Sequence, residues 1–134
     1  MNSHPKPPVN RDVAFLYDGF RNGELLVQKC IACETLRFPP SPFCPQCHSA
    51  DWEPVAASGE GTLHSYTVHY HPPVPPWPLP HPIGLADMKE GFRFVAAVAG
   101  TAPDALRIGQ SVRVAFSEVD PGYFLPHFCV VDEE

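Results

Sequence analysis

The chain has 134 residues and a formal net charge of −6 at pH 7, with 44% hydrophobic and 18% charged residues. This composition is typical of one globular domain or two very small ones, and it excludes a disordered chain. The few lysines and arginines are scattered, so no basic run of the kind that follows a phosphate backbone is present. No apolar stretch approaches the ~20 residues that span a bilayer, and residues 1–9 lack an apolar signal region. The sequence therefore predicts a cytoplasmic protein.

Proline is the unusual component, with 18 residues. Because proline removes a backbone donor and clashes with the preceding helical turn, this density favours short strands joined by rigid loops. One short helix is predicted after the N-terminal arm (residues 1–9), capped by Asn10 or Asp12 and ended by Asn22-Gly23. Its apolar residues fall at helical spacing: Val13, Leu16, Tyr17 and Phe20. This apolar face must dock on the rest of the chain or on a partner.

Four of the five cysteines form two close pairs between residues 25 and 57. Their spacing is Cys-x2-Cys-x10-Cys-x2-Cys, made by Cys30, Cys33, Cys44 and Cys47. Two residues between cysteines let one tight turn aim both sulfurs at one ion, and two such turns close a tetrahedral thiolate site. All four positions are then protein ligands, so the sequence predicts structural rather than catalytic Zn²⁺. Short strands are predicted around the pairs, at Leu25–Lys29, Leu36–Phe38 and Asp51–Val55.

Other interpretations of the cysteines exist. Cys44-Pro45-Gln46-Cys47 has the spacing of a redox dithiol, but the surrounding prolines and the lack of a following helix argue against a thioredoxin-like context. Two disulfides disagree with a reducing compartment. Iron suits the same tetrahedral sulfur ligands in vitro. His48 follows Cys47, and the favoured interpretation is a solvated residue at the turn rather than a substitute ligand.

From Ser58 onward the pattern changes to short strands with glycine breaks. Gly59-Glu60-Gly61 is a turn or bulge, and Lys89-Glu90-Gly91 is a hairpin turn. Residues 71–82 are too rich in proline for a helix or central strand and predict an extended loop. Pro103–Leu106 is a helical turn at most. The predicted strands are Thr62–Tyr70, Pro82–Met88, Phe92–Ala99, Ser111–Phe116 and His127–Val131. Five such strands in ~75 residues favour a small OB-type barrel.

The fold prediction is thus mainly β: an N-terminal arm and helix (1–24), a rubredoxin-like zinc ribbon (25–57) and an OB-fold barrel (58–134). Several segments in this order carry a family resemblance: Phe20-Arg-Asn-Gly23, Leu25–Cys33, Phe38-Pro39-Pro40, Cys44–Cys47, Ser58–Ser65, Ile108–Val114 and Leu125–Phe128. From about residue 12 onward the chain resembles the family of zinc-ribbon and OB-fold accessory proteins associated with acyl-CoA metabolism. Two departures from the family pattern are Glu34, where glycine is frequent, and the dense proline loop at 71–82.

The resemblance implies a function that composition does not show. Members of this family assemble with thiolase-like enzymes, which include thiolases, acyltransferases and aldolases that shorten steroid side chains. The OB-fold domain is thought to help hold acyl-CoA or to complete the partner's active-site entrance, while catalytic residues belong to the partner. The resemblance therefore implies a non-catalytic subunit of a hetero-oligomer in lipid or steroid degradation, with acyl-CoA as an expected contact and with unassigned substrate-binding residues. The lack of an apolar span predicts no membrane association.

Two other function classes are compatible with parts of the sequence. OB folds and zinc ribbons are common in proteins that bind single-stranded nucleic acid, and Tyr66, Tyr70 and Phe94 offer stacking surfaces. The negative net charge opposes that hypothesis. A stand-alone enzyme would need a base and a nucleophile. The candidates are His64, His69, His71, His81, His127 and Cys129, and no acidic partner or nucleophile turn accompanies them in the sequence.

A contact with the phosphates of CoA would use cations, and the sequence offers four candidates. Lys29 and Arg37 lie near the first cysteine pair, and Arg93 and Arg113 lie on predicted barrel strands. Each is more often a solvated charge, so none is assigned as a ligand. Trp77, in the proline loop, is predicted either to pack on the barrel or to belong to a partner surface.

Overall fold

A computed structural model describes residues 13–73 and 77–131. Within them the chain forms one α-helix, a three-stranded sheet and a closed five-stranded barrel. The elements are α1 (Ala14–Arg21), β1 (Leu26–Cys30), β2 (Leu36–Arg37), β3 (Trp52–Ala56), β4 (Glu60–His69), β5 (His81–Met88), β6 (Arg93–Ala99), a 3-10 turn (Pro103–Ala105), β7 (Ser111–Asp120) and β8 (Tyr123–Val130). The predicted fold class is confirmed.

The predicted helix is present as α1. Val13 occupies its N-cap position without a side-chain hydrogen bond. The predicted caps Asn10 and Asp12, together with the arm at 1–9, lie outside the described residues. After Asn22, Gly23 takes a left-handed φ of 74°, a conformation that glycine adopts at little steric cost and that ends many helices.

The small sheet has the strand order β2-β1-β3, with both neighbours antiparallel to β1. Its strands begin within one residue of the predicted positions. Gln28 on β1 lies directly opposite Arg37 on β2, and both side chains are buried, at 1% and 2% exposure. A polar pair thus occupies the interior of the ribbon, where an apolar pair would be usual.

The barrel has the order β4-β5-β6-β8-β7 and closes through pairing of β4 with β7. The β6–β8 pair is parallel, and the other pairs are antiparallel. Of the predicted turn Gly59-Glu60-Gly61, only Gly59 is left-handed, with φ 81°, and the other two residues belong to β4. The register shift instead falls between Leu63 and Ser65. The proline loop ends at β5, which begins at His81.

One hydrophobic core joins the ribbon, the helix and the barrel. Buried residues of α1 and β1 belong to the same cluster as the barrel interior. The Phe38 ring, just after β2, lies 4.9 Å from the ring of Phe94 on β6. The Phe20 ring of α1 lies 5.6 Å from that of Phe116 on β7. Of the two predicted alternatives, the apolar face of the helix therefore docks on its own chain, where Leu16 and Phe20 are buried.

Candidate metal centre and barrel surface

The two cysteine pairs converge at the end of the small sheet. The four Sγ atoms of Cys30, Cys33, Cys44 and Cys47 all lie within 4.8 Å of one another. The Sγ atoms of Cys30 and Cys47 are 3.5 Å apart, and so are those of Cys33 and Cys44. Cys30 and Cys44, the first cysteine of each Cys-x2-Cys motif, are buried, and Cys33 and Cys47 are exposed. Four sulfurs so arranged fit the tetrahedral coordination of zinc.

The two pairs have the same backbone geometry. In the first, the N–H of Glu34 donates to the carbonyl of Cys30 (2.9 Å), and in the second the N–H of His48 donates to the carbonyl of Cys44 (2.9 Å). Glu34 and His48 both have a left-handed φ of 65°. The departure at Glu34, where glycine is frequent in the family, thus coincides with a left-handed backbone, and the same conformation recurs at His48, which the sequence did not indicate. Such a conformation is uncommon for residues other than glycine.

The electrostatics of the thiols follow from this geometry. A hydrogen bond from the backbone N–H of Cys33 lowers the pKa of Cys30, and one from the backbone N–H of Cys47 lowers the pKa of Cys44 to about 6. The backbone N–H of Ser49 also lowers the pKa of Cys47, but the sulfurs of Cys30 and Cys33 outweigh it and raise that pKa to about 12. Turn amides thus favour thiolates at the buried positions, and the neighbouring sulfurs oppose deprotonation of Cys47.

This centre suits a structural ion. All four tetrahedral positions would be protein sulfurs, which leaves none for water or substrate. The redox interpretation of Cys44 and Cys47 is not supported, because the second pair lies in a loop followed by β3 rather than by a helix. His48 is exposed, as the favoured interpretation of this residue expected. The ribbon is therefore a site for structural zinc.

Arg37 departs from its predicted role. It was expected as a solvated charge or a phosphate contact, but its side chain is buried and its guanidinium donates to backbone carbonyls of Ser41, Ser49 and Asp51. Arg93 and Arg113 are exposed on the barrel, and Lys29 is half-buried on β1. The sequence signal for Arg37 was weak, since burial of an arginine depends on contacts distant along the chain.

The barrel surface brings three polar side chains together at the bulge in β4. Asp87 accepts a hydrogen bond from Arg93 Nε (2.7 Å) and lies 3.2 Å from His64 Nδ1. The hydrogen bond from Arg93 is the main cause that lowers the pKa of Asp87. His64 was a candidate from the sequence but its acidic neighbour was not, because Asp87 is remote in sequence. All three side chains are about half exposed.

The other candidate catalytic residues are dispersed. His69 and His81 face each other across β4 and β5, and burial, followed by the charge of His69, lowers the pKa of His81. His127 Nδ1 lies 3.4 Å from Ser117 Oγ. Cys129 is half-buried on β8 and His71 is exposed in the loop.

Two aromatic predictions are resolved by burial. Phe94 is 2% exposed and packs edge-on against Phe128 inside the barrel, so its predicted role as a base-stacking surface is wrong. Tyr66 and Tyr70 are exposed, and the Tyr66 hydroxyl donates to the carbonyl of Leu106 (3.3 Å). Trp77 stacks on His81, with ring centroids 5.8 Å apart.

Trp77 also borders an open apolar cavity of about 320 Å³ on the barrel surface. Its lining includes Ile83, Val95, Leu125 and Pro126. Of the two alternatives for Trp77, packing against the barrel is therefore present. In the described residues, no helix has the length and apolar character needed to cross a membrane.

Fold and site together define a rubredoxin-like zinc ribbon fused to an OB-fold barrel. Two family models match: "ChsH2, rubredoxin-like zinc ribbon domain" over residues 18–53 and "ChsH2, C-terminal OB-fold domain" over residues 54–117. A solved structure titled "Ltp2-ChsH2(DUF35) aldolase" is 42% identical, with a TM-score of 0.88 over 93% of this chain and 98% of that chain. The chain belongs to the DUF35 family of ChsH2-type proteins, and the predicted resemblance is confirmed.

Two curated relatives are named as subunits of enzymes that act on CoA thioesters. A "Probable enoyl-CoA hydratase alpha subunit" of Thermomonospora curvata is 44% identical over 92% of this chain and 39% of its own length. The chain thus spans about two fifths of that relative. The "Benzoylsuccinyl-CoA thiolase subunit BbsA" of Thauera aromatica is 28% identical over 85% of this chain and 83% of its own length.

Proposed function

We propose that this chain is a non-catalytic accessory subunit that assembles with a thiolase-fold enzyme acting on acyl-CoA. The observation that carries the proposal is the match over nearly the whole chain to a solved structure whose title joins a DUF35 chain and an aldolase. The similarity to a thiolase subunit points to the same class of partner. Steroid side-chain retro-aldol cleavage is the proposed reaction of the complex, and the subunit supports folding of the partner or binding of its substrate.

The metal centre supports this role. We propose that Cys30, Cys33, Cys44 and Cys47 ligate one structural Zn²⁺, because a closed sulfur shell has no position for substrate. The zinc then stabilises a ribbon that packs on the barrel through Phe38. The boundaries 24/25 and 57/58 remain a prediction, and the family models change at 53/54.

Co-purification tests the proposal. This chain is expressed with the thiolase-like protein encoded beside it, and the mixture is separated on a sizing column. We expect a defined hetero-oligomer with carbon–carbon cleavage that neither protein shows alone. Cys44→Ser, which removes a buried sulfur, should abolish assembly, and Cys129→Ser, which lies in β8 outside the sulfur cluster, is the matched control.

The products distinguish the reactions. Retro-aldol cleavage of a 3-hydroxyacyl-CoA yields a carbonyl compound and a shorter acyl-CoA without consuming free CoA, whereas thiolysis of a 3-oxoacyl-CoA consumes one CoA for each bond broken. Separate elution with a fully active partner, or turnover of acyl-CoA by the isolated chain, would contradict the accessory role. Salt-dependent binding of single-stranded DNA would then favour the nucleic-acid alternative.

A further inference from the structure

Arg37 is buried in the ribbon without an acidic partner. Its side chain is 2% exposed, and among the residues the structure describes no carboxylate forms an ion pair with it. Its Nε is buried without a hydrogen-bond partner. A buried cation is costly unless an opposite charge compensates it, so this arginine needs a source of negative charge within the ribbon.

The hydrogen bonds of the guanidinium all reach the loop that carries the second cysteine pair. Nη1 donates to the carbonyl of Ser41 (3.1 Å), and Nη2 donates to the carbonyls of Ser49 (3.4 Å) and Asp51 (3.2 Å). Gln28, the cross-strand neighbour of Arg37, accepts from the N–H of Ser41 (2.9 Å). The buried polar pair therefore fixes the path of the chain on both sides of Cys44 and Cys47.

The carbonyls of Ser49 and Asp51 also accept hydrogen bonds from backbone N–H groups at the two cysteine pairs. The carbonyl of Ser49 accepts from the N–H of Cys44 (2.8 Å), and the carbonyl of Asp51 accepts from the N–H of Ile31, which follows Cys30 (3.2 Å). One nitrogen of Arg37 thus contacts two acceptors, one for each half of the metal centre. The planar guanidinium of arginine can donate to several carbonyls in a fixed geometry, whereas the single ammonium of lysine lacks that geometry.

Zinc held by four thiolates carries two more negative than positive charges. We propose that Arg37 is the positioning residue of this centre: its forked cation ties the two cysteine pairs together and supplies the positive charge that offsets the zinc–thiolate anion. Partners just outside the ligand shell tune metal affinity in this way. The inference concerns the ribbon alone and does not depend on the identity of the enzyme partner.

The test compares zinc release from the full-length chain in excess chelator. Arg37→Gln keeps a hydrogen-bond donor and removes the charge, and we expect release about 10- to 100-fold faster than in the native chain. Arg37→Lys keeps the charge and loses the fork, and its rate should fall between the two. The matched controls are Arg93→Gln and Arg93→Lys, because Arg93 is exposed on the barrel and bonded to Asp87; both should release zinc at the native rate.

Cobalt substitution supplies a readout that general loosening of the fold would not produce. Circular dichroism first shows whether each variant keeps the native fold. In folded protein, Arg37→Gln should shift the energy of the thiolate-to-cobalt charge-transfer band, and Arg93→Gln should leave it unchanged. A native release rate and band in Arg37→Gln would overturn the proposal, and so would Arg37→Lys releasing zinc as fast as Arg37→Gln. If Arg37→Gln does not fold, Arg37→Lys decides: faster release than in Arg93→Lys supports the proposal, and an equal rate overturns it.

Discussion

The ribbon and the barrel stabilise their interiors in different ways. The barrel core is apolar, built from residues such as Leu63, Phe94 and Phe128. The ribbon interior instead contains two buried cysteines and the buried polar pair Gln28 and Arg37. The ribbon has only three short strands, too few to bury a core of their own. Metal ligation and hydrogen bonds thus replace in the ribbon what apolar burial does in the barrel.

The largest expected effect is the removal of a buried zinc ligand. Cys44→Ser should lose the metal and the ordered ribbon, because structural zinc contributes about 10–16 kcal/mol to the folding of small zinc modules. Zinc content and amide exchange in β1–β3 measure this change. Cys129→Ser should keep one zinc per chain. Retention of zinc at native affinity by Cys44→Ser would contradict the proposed ligand set.

The second effect is the loss of packing in the barrel core. Phe128 is fully buried and contacts Phe94 edge-on, so Phe128→Ala should lower the free energy of unfolding by about 3–5 kcal/mol. Urea denaturation of the zinc-loaded chain gives this value, and the folded variant should still bind one zinc. The control is Val95→Ala, at a side chain 54% exposed, where a change within about 0.5 kcal/mol is expected.

The third effect concerns the contact between the ribbon and the barrel. Phe38 is half-buried and links the end of β2 to Phe92 and Phe94. Phe38→Ala should cost about 2 kcal/mol, roughly half the value for a fully buried ring. Chelation of zinc should lower the urea midpoint of the barrel in the native chain, and less so in this variant. The control is Phe43→Ala, in the same ribbon and 60% exposed. If chelation lowers the urea midpoint equally in Phe38→Ala and in the native chain, Phe38 does not couple the two regions.

The smallest effect concerns pH and the barrel surface. The hydrogen bond from Arg93 lowers the pKa of Asp87 in the folded chain. The ionised Asp87 therefore contributes to the free energy of unfolding above the pKa of about 3.9 that it has in the unfolded chain, and this contribution is lost as the pH falls through its lower pKa in the folded chain. Asp87→Asn should reduce the difference in urea midpoint between pH 7 and pH 3 slightly, since the pair is exposed. The matched control is Asp104→Asn, which replaces an exposed carboxylate of the 3-10 turn outside this cluster; an equal change in both variants would contradict the prediction.

Local patterns were predictable where the constraint lies within a few residues. The spacing of Cys30, Cys33, Cys44 and Cys47 requires only that a short turn aim two sulfurs at one point. Val112, Val114 and Phe116 alternate along β7 and so share one face, on which both valines are buried and Phe116 is half-buried. Gly91 ended the β5–β6 hairpin as expected, with φ 99°. These features depend on backbone conformation and strand periodicity, which neighbouring residues set.

Contacts between distant segments were decided only by the tertiary structure. Sequence analysis treated Arg37 as a solvated charge and Phe94 as an exposed ring, and both are buried. Arg37 becomes buried because β2 pairs with β1 and because the loop from Ser41 to Asp51 folds over it. The pairing of Asp87 with His64 likewise requires the β4–β5 register. The sequence by itself determined the four-cysteine cluster and the order of the elements. Packing decided which charges they enclose, because burial depends on which segments meet.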